Sequence, residues 1–545
     1  MHTRRRIAHT DSIRAHTMSD PSMRRRIAQL FMIGFSGAEA SEELLPLIES
    51  DGFTSFILFK RNAEDKESLS SMIAEARDAG ERLGLPRLLF AADEEGGLIS
   101  PLGDLAGRLP SAMGLTAGTS EERARRAAAA VGYCLRELGV DLVLAPVLDV
   151  NDEPRNPVIG TRSFGDDSRL VALMGAAVIE GYHSARLACC VKHFPGHGST
   201  AEDSHKSLPV VKIDEDEIGL KQLPPFKAAF VRGAEAVMTA HVAYPGIDGH
   251  ARRPGTLSPE IITGLLRTKM KFGGAVISDS LEMMGLTAYK SPPEVCVDAL
   301  KAGVDLFICV SPALAKECVA ALSAALERGE LGEETIERAL ADIGRLKSAS
   351  RGGVPKILET AFPKMATDRD TVLSECYTAS ITLLDCEPRK LKETLAAAES
   401  GVLLVPKGLP GYEAADTAFV ERTLADLGVG RRWRVVSYPH DPGDQEISAT
   451  MAAVKSCDCA VFCGLSRGIV PKGQRRLRED LVSGGKLSAV AALLDPYEVT
   501  SGLPDGLPRI ATYGYWPECL ATLLDLLFGL GGAPGVMPVA RVASG

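Results

Sequence analysis

Fourteen residues, Lys192 to His205 "KHFPGHGSTAEDSH", hold three of the chain's ten histidines, together with Asp203. Two chemistries suit such a set: imidazoles bind metal ions, and an imidazole beside a carboxylate moves protons. The metal reading is the weaker. His193, His197 and His205 lack the i,i+4 spacing of a helical zinc motif, because Pro195 and two glycines break any helix there. For proton transfer, Asp203 and His205 lie two residues apart in a loop. The carboxylate can then hydrogen-bond to the ring, fix its tautomer and raise its pKa toward the working pH. The alternative, a surface loop whose histidine caps backbone groups, stays open on these residues alone.

Other charged or histidine residues stand where apolar runs stop: Asp93 in "ADEEGG", the stretch "DVNDEPRNPVIGTRSFG" with Arg162, His241 in "TAHV" and Asp279 in "ISDSLEM". Asp279 follows five largely apolar residues, so it is either a helix N-cap or a carboxylate held at the mouth of a barrel.

The elements that would position these residues are short apolar runs alternating with helical segments from about residue 27 to 350. The runs are 30–35 "LFMIGF", 54–59 "TSFILF", 87–92 "RLLFAA", 140–150 "VDLVLAPVLDV", 188–193 "ACCVKH", 236–241 "AVMTAH", 274–279 "GAVISD" and 304–310 "VDLFICV". Continuous apolar strands between helices mean a parallel sheet covered on both faces, and eight of them suggest a closed (β/α)8 barrel of the TIM type. An open doubly wound sheet is the alternative. The barrel reading places functional side chains at the carboxyl ends of the strands, where the residues above fall.

Residues 351–370, with "RGGVPKILETAFPK", read as a linker. From 371 to 545 a second α/β pattern follows, with strand-like runs "ASITLLD", "GVLLVP", "RWRVVSY", "CAVFCGL", "LSAVAALL" and "RIATYGY". Residues 1–26 are basic and polar and are expected to be a disordered extension. In the second domain, "SRG" (466–468) and "PKGQRRLRED" (471–480) read as solvated loops.

A net charge of −10 argues against nucleic acid or an anionic membrane as the main partner. No apolar run reaches the ~20 residues of a membrane span. The twelve cysteines sit mostly in apolar runs, including Cys457, Cys459 and Cys463, and read as small buried hydrophobes of a reducing compartment, which favours the cytoplasm.

In this order, "ILFKRN", "DEEGG", "APVLDV", "NPVIGTRSFG", "KHFPGHGSTAEDSH", "VMTAHV" and "ISDSLEM" resemble glycoside hydrolase family 3, in its bacterial β-N-acetylglucosaminidase (NagZ-type) branch. The resemblance covers about residues 27 to 345. The region from 371 resembles, more loosely, the α/β sandwich domain that follows the barrel in many members.

The resemblance implies a retaining exo-β-N-acetylglucosaminidase. Asp279 would be the nucleophile, His205 the acid/base and Asp203 its orienting partner. Asp93, Arg162, Lys192 and His193 would hold the terminal sugar, with His241 counted among the substrate-binding residues. It implies no metal and no other cofactor, and a GlcNAc-containing muropeptide as partner. A phosphorylase using the same residues, and a carbohydrate-binding protein without turnover, are the alternatives. Gly196 and Gly198 are expected to give a mobile turn and His197 to be structural. One departure stands out: Leu98 and Pro101 occupy positions where the family usually has arginines, and Arg108 is a candidate to supply the lost charge.

Overall fold

The computed structural model describes residues 21–201, 208–350, 362–410, 412, 414–500 and 502–540. Each of the eight apolar runs coincides with a strand to within a few residues: β1 (Phe31–Ile33), β2 (Ser55–Leu58), β3 (Leu89–Ala92), β4 (Leu142–Val143, near the start of a longer run), β5 (Ala188–Phe194), β6 (Ala236–Thr239), β7 (Ala275–Ser280) and β8 (Leu306–Cys309). Every neighbouring pair is parallel, and β8 returns to β1 with Phe31 opposite Phe307 and Met32 opposite Ile308, which closes the barrel and removes the doubly wound alternative. Phe56 stacks on Phe90 and Phe31 meets Phe307, each pair with ring centroids 5.4 Å apart.

The helices form where small and straight-chain residues repeat at helical spacing. In Glu121–Glu137, the Ser120 side chain accepts from the Arg123 amide, two glutamates occupy the first turn, and Ala124, Ala127, Ala128, Val131 and Leu135 face inward. That face packs on the helix Ser168–Ser184. The approach is close: a Cβ at Gly181 would lie 2.5 Å from the Arg125 carbonyl oxygen.

Two buried carboxylates lock the N-terminal end of the barrel. Asp141 binds Arg77 (2.8 Å), Arg87 (2.6 Å) and Arg136 (3.0 Å), and Asp305 binds Arg267 (2.7 Å) and the Val276 amide (2.8 Å). Charges buried at this end need partners for stability. The opposite end is left for function.

The second domain is a six-stranded sheet of β9 (Thr382–Leu384), β10 (Gly401–Pro406), β11 (Trp433–Tyr438), β12 (Cys459–Gly464), β13 (Leu487–Ala492) and β14 (Arg509–Ala511). The order is β11-β10-β12-β13-β14-β9, parallel except for β9. Residues on β10 alternate between two helix layers: Leu403 and Val405 share a core with Leu391, Leu395 and Leu520, while Val402 and Leu404 share one with Ile447, Val454 and Leu477. The result is the expected α/β sandwich.

Two regions differ in detail from the sequence reading. A helix, Phe362–Ser380, crosses the 370/371 boundary, with Pro363 in its first turn, where proline is tolerated. It rests on the barrel, where the Tyr377 hydroxyl donates to the Arg108 carbonyl oxygen at 2.9 Å. Of the extension expected over 1–26, only 21–26 are among the described residues, and they begin a helix, Pro21–Ala28, tied by Arg26 to Glu337. All twelve cysteines are free thiols and all but Cys386 are buried; Cys459 and Cys463 lie in the buried strand β12, as their alternation suggests.

Candidate active site

Asp93 follows β3, Asp149 follows β4, Arg162 ends the short turn Gly160–Arg162, Lys192 and His193 belong to β5, His241 follows β6 and Asp279 lies in β7. Parallel strands ending at one rim bring these distant positions together, and a continuous polar network results. Lys192 Nζ donates to Asp93 Oδ1 and to Glu95 Oε1, both at 2.6 Å. Arg162 grips the same Glu95 with two bonds, Nε to Oε2 at 2.7 Å and Nη2 to Oε1 at 2.8 Å. Arg162 Nη2 also lies 3.4 Å from His193 Nε2, and His193 Nδ1 lies 2.7 Å from Asp149 Oδ2.

The charges explain one another. Burial opposes ionisation of Glu95, but Arg162 and Lys192 outweigh it and hold the carboxyl far below the usual range. Burial of Lys192, only 2% exposed, disfavours its charge, yet Asp93 and Glu95 outweigh burial and raise its pKa. Asp149 is likewise held anionic: burial is outweighed by His193 and His197. Its carboxylate can only accept, so His193 carries a proton on Nδ1 and turns Nε2 toward Arg162.

Asp279 is half-buried at the strand end, with Oδ1 accepting from the Ser280 amide at 2.7 Å. Burial by itself would raise its pKa. The neighbouring His193, His241 and Lys192 side chains, with the Ser280 amide, more than offset this. The carboxyl therefore lies below its usual range and is anionic at neutral pH.

His241 uses both ring nitrogens within the protein. Nε2 faces the Ser280 carbonyl at 3.1 Å and so carries the hydrogen, while Nδ1 lies 2.8 Å from the Thr256 hydroxyl. Burial lowers its pKa. A neutral ring held this way steadies the segment that carries Asp279.

Asp203 and His205 lie outside the described residues. The root of their loop is described, and there the expected mobile turn is corrected. Gly196 and Gly198 are buried: a Cβ at Gly196 would lie 2.6 Å from Gln222, and one at Gly198 1.7 Å from the Val150 carbonyl oxygen. Gly196 leaves room for the Gln222 side chain and Gly198 for the Val150 backbone. His197 is 3% exposed, its amide donates to Asp149 Oδ1 at 2.7 Å and its Nδ1 meets the Thr200 hydroxyl at 3.0 Å. Burial lowers its pKa to about 4, which fits a structural, neutral ring.

Sequence reasoning missed Glu95 and Asp149, the two buried acids that organise the network. Asp149 had a signal, since an acid inside the apolar run "APVLDV" must find a buried partner; Glu95, the third of three consecutive acids, had none. Leu98 and Pro101 line a cleft of about 890 Å³ that also includes Asp93, Arg61, Tyr412, Trp516 and Arg108. Arg108 thus borders the same space, with its guanidinium on the Gly97 carbonyl at 3.0 Å.

Glu94 provides a pH signature. It is 2% exposed, and burial pushes its carboxyl up to about 7 although Ser100 (2.6 Å) and the Leu102 amide (2.5 Å) donate to it. Between pH ~4.5 and ~7 the native protein therefore holds a proton that the unfolded chain releases, and stability falls as pH rises through that window. The full effect is at most about 3 kcal/mol. Glu94→Gln should gain in melting temperature relative to the parent between pH 5 and pH 8. A difference that stays constant across that range would show that Glu94 ionises alike in both states.

Comparison with known proteins places this geometry. A model of the glycosyl hydrolase family 3 N-terminal domain matches residues 22–346. A beta-hexosaminidase of Idiomarina loihiensis is 35% identical over 286 residues, covering 52% of this chain and 83% of that one. Beta-hexosaminidase A of Pseudoalteromonas piscicida is 32% identical over 332 residues, covering 56% of this chain, and the match spans only about half, 55%, of that relative's length. Among solved structures, a glycoside hydrolase family 3 beta-N-acetylglucosaminidase from Paenibacillus sp. str. FPU-7 superposes with a TM-score of 0.86 at 29% identity, covering 96% of this chain and 99% of that one. The family match takes in the whole barrel and every strand end that feeds the polar network, and on that ground the chain belongs to glycosyl hydrolase family 3.

Proposed function

We propose that this chain is a retaining exo-β-N-acetylglucosaminidase that removes terminal GlcNAc from peptidoglycan-derived sugars in the cytoplasm. The observation that carries the reading is Asp279: a half-buried, anionic carboxylate at the end of β7, beside the Lys192 and His193 side chains that end β5. The names borne by the relatives, beta-hexosaminidase and beta-N-acetylglucosaminidase, support the substrate class. The free thiols support a reducing compartment.

In the first step an Asp279 oxygen attacks the anomeric carbon as the glycosidic C–O bond breaks, and His205 gives its proton to the departing oxygen. In the second, His205 takes a proton from water, whose oxygen attacks the same carbon and releases Asp279. Asp203 orients the ring. Asp93, Lys192, Arg162 and His193 hold sugar hydroxyls through a network already paired, so binding reorganises few charges. Replacing one of the usual two carboxylates by a histidine leaves a spent acid that is neutral, which suits a substrate carrying its own carboxylate.

A substrate screen tests the proposal. Purified protein is given aryl β-N-acetylglucosaminides and aryl β-glucosides, with and without inorganic phosphate. Release of free GlcNAc, indifferent to phosphate and well above glucose release, is the expected result. Sugar 1-phosphate as the main product would make the protein a phosphorylase, and no turnover of either series would make it a binding protein.

A further inference from the structure

The turn that carries Arg162 is held from outside the barrel. Asp495 follows β13 in the second domain, is 1% exposed, and accepts from the Thr161 amide through Oδ1 at 3.2 Å and from the Gly468 amide through Oδ2 at 2.6 Å. Contact with the turn is tight: Gly160 has φ +47°, and a Cβ there would lie 2.5 Å from Asp495 Oδ1. Gly468 is pressed as closely on the barrel side, where a Cβ would lie 2.6 Å from the Arg155 carbonyl oxygen. Between these glycine contacts, Arg467 Nη2 donates to the Val158 carbonyl oxygen at 2.9 Å, and Arg162 Nη1 donates to the same oxygen at 3.0 Å. One carbonyl thus joins the two arginines. A further bond, Asn151 Nδ2 to the Tyr497 hydroxyl at 2.7 Å, ties the start of the segment.

The segment also reaches the loop that leads to residues 202–207. Asn156 Oδ1 accepts from the Val158 and Ile159 amides, while its Nδ2 donates to the carbonyl oxygens of His197 and Gly198. The "SRG" segment, read from sequence as a solvated loop, is therefore an interdomain clamp: Ser466 is 3% exposed, and Arg467 and Gly468 both engage the barrel. "PKGQRRLRED" is likewise no loop, for Lys472–Ser483 is a helix whose Gln474 is fully buried. Burial pushes the Asp495 carboxyl up to about 6, so it is anionic at neutral pH, and bonds from amides to an anion are the stronger kind.

We propose that the second domain takes part in sugar recognition through Asp495, a positioning residue that, with Arg467, fixes the Gly160–Arg162 turn and so aims the Arg162 guanidinium. The inference rests on the reading of Arg162 as a sugar-holding residue. It also answers a chemical need: Glu95 holds the Arg162 guanidinium, but the Arg162 backbone lies in a loop between strands, and Asp495 and Arg467 of the neighbouring domain add buried bonds to that segment beside those from Asn156.

The test is steady-state kinetics of the full chain on 4-nitrophenyl N-acetyl-β-glucosaminide for Arg162→Ala, Asp495→Ala, Asp495→Asn, Arg467→Ala and the double variant Asp495→Ala/Arg162→Ala. Folding is checked by circular dichroism and melting temperature. Loss of folded protein lowers apparent kcat alone, whereas misplacing a binding group raises KM. The expected result is a KM rise of roughly tenfold or more for Asp495→Ala, a smaller one for Asp495→Asn, which keeps one acceptor oxygen, and no further rise when Asp495→Ala is added to Arg162→Ala. Should Asp495→Ala not fold, the half-buried Arg467 carries the same test. An unchanged KM in the Asp495 and Arg467 variants, or effects that multiply with that of Arg162→Ala, overturns the positioning role while leaving the site intact. An unchanged KM in Arg162→Ala itself overturns the reading of the site and the positioning role with it.

Discussion

Asp279→Ala is expected to lower kcat/KM on aryl N-acetyl-β-glucosaminides by on the order of 10⁴-fold or more, the scale on which a catalytic unit loses its central member. The chemistry accounts for the size. Without the carboxylate there is no covalent intermediate, and no other carboxylate among the described residues sits unpaired at the rim: Asp93 and Glu95 are committed to Lys192, and Asp149 to His193. Azide provides a check on the role rather than the mere importance of the residue. In Asp279→Ala it can enter the vacated space and attack the anomeric carbon, so partial rescue should yield the α-glycosyl azide, whereas a merely structural aspartate would give no such product. The pH profile of the parent offers a second check. Nearby His193, His241 and Lys192 outweigh burial and hold the Asp279 carboxyl below the ordinary aspartate range. An acid limb of kcat/KM centred above the ordinary aspartate range must then belong to another group, and should survive in variants that alter only the surroundings of Asp279.

The barrel was legible because each of its strands is buried on both faces, which forces an unbroken apolar run that no surface segment imitates. The runs over 188–193 and 274–279 name β5 and β7 almost residue for residue. Asp279 and Lys192 were legible for a related reason, since a charge that closes such a run stands out, whereas Arg162, in a loop, was picked out only by the family resemblance. What stayed hidden was pairing. Nothing in "DEEGG" says that the second glutamate, rather than the first, grips Arg162 and Lys192 while Glu94 turns to Ser100 and Leu102. The glycines of "KHFPGHG" misled, because a small residue that permits motion and one that permits close packing read alike; only the Val150 carbonyl lying against Gly198 separates them. "SRG" misled in the same way. Polar residues at a domain interface look like solvated residues until the partner surface, here the Val158 carbonyl and the Arg155 backbone, is in place.

His205→Ala should discriminate between substrates rather than abolish activity. On a natural saccharide, whose leaving alkoxide is strongly basic, loss of the proton donor should slow turnover by about 10²- to 10⁴-fold, the usual worth of general acid catalysis. On an aryl glycoside with an acidic phenol the leaving group departs without help, and formation of the glycosyl-enzyme should fall far less. Breakdown of that intermediate still needs a base to activate water, so the variant should show a burst of phenol followed by slow turnover, and an added anionic nucleophile should relieve the slow phase. Equal loss on both substrate classes would remove the acid/base assignment. Asp203→Ala should reproduce the same pattern more weakly, since the ring remains but loses its orienting carboxylate. The described surroundings make the pattern interpretable. The loop is rooted by His197 on Asp149, by Asn156 on the His197 and Gly198 carbonyls, and by the Tyr244 hydroxyl on the Gly196 carbonyl at 2.8 Å. None of these bonds involves residue 203 or 205, so replacing either should leave the root, and with it the sugar-holding network of Lys192 and His193, in place. KM for the aryl substrate is then the internal control: it should not rise in either variant, and a rise would mean that the substitution had disturbed the root of the loop instead of removing a proton donor.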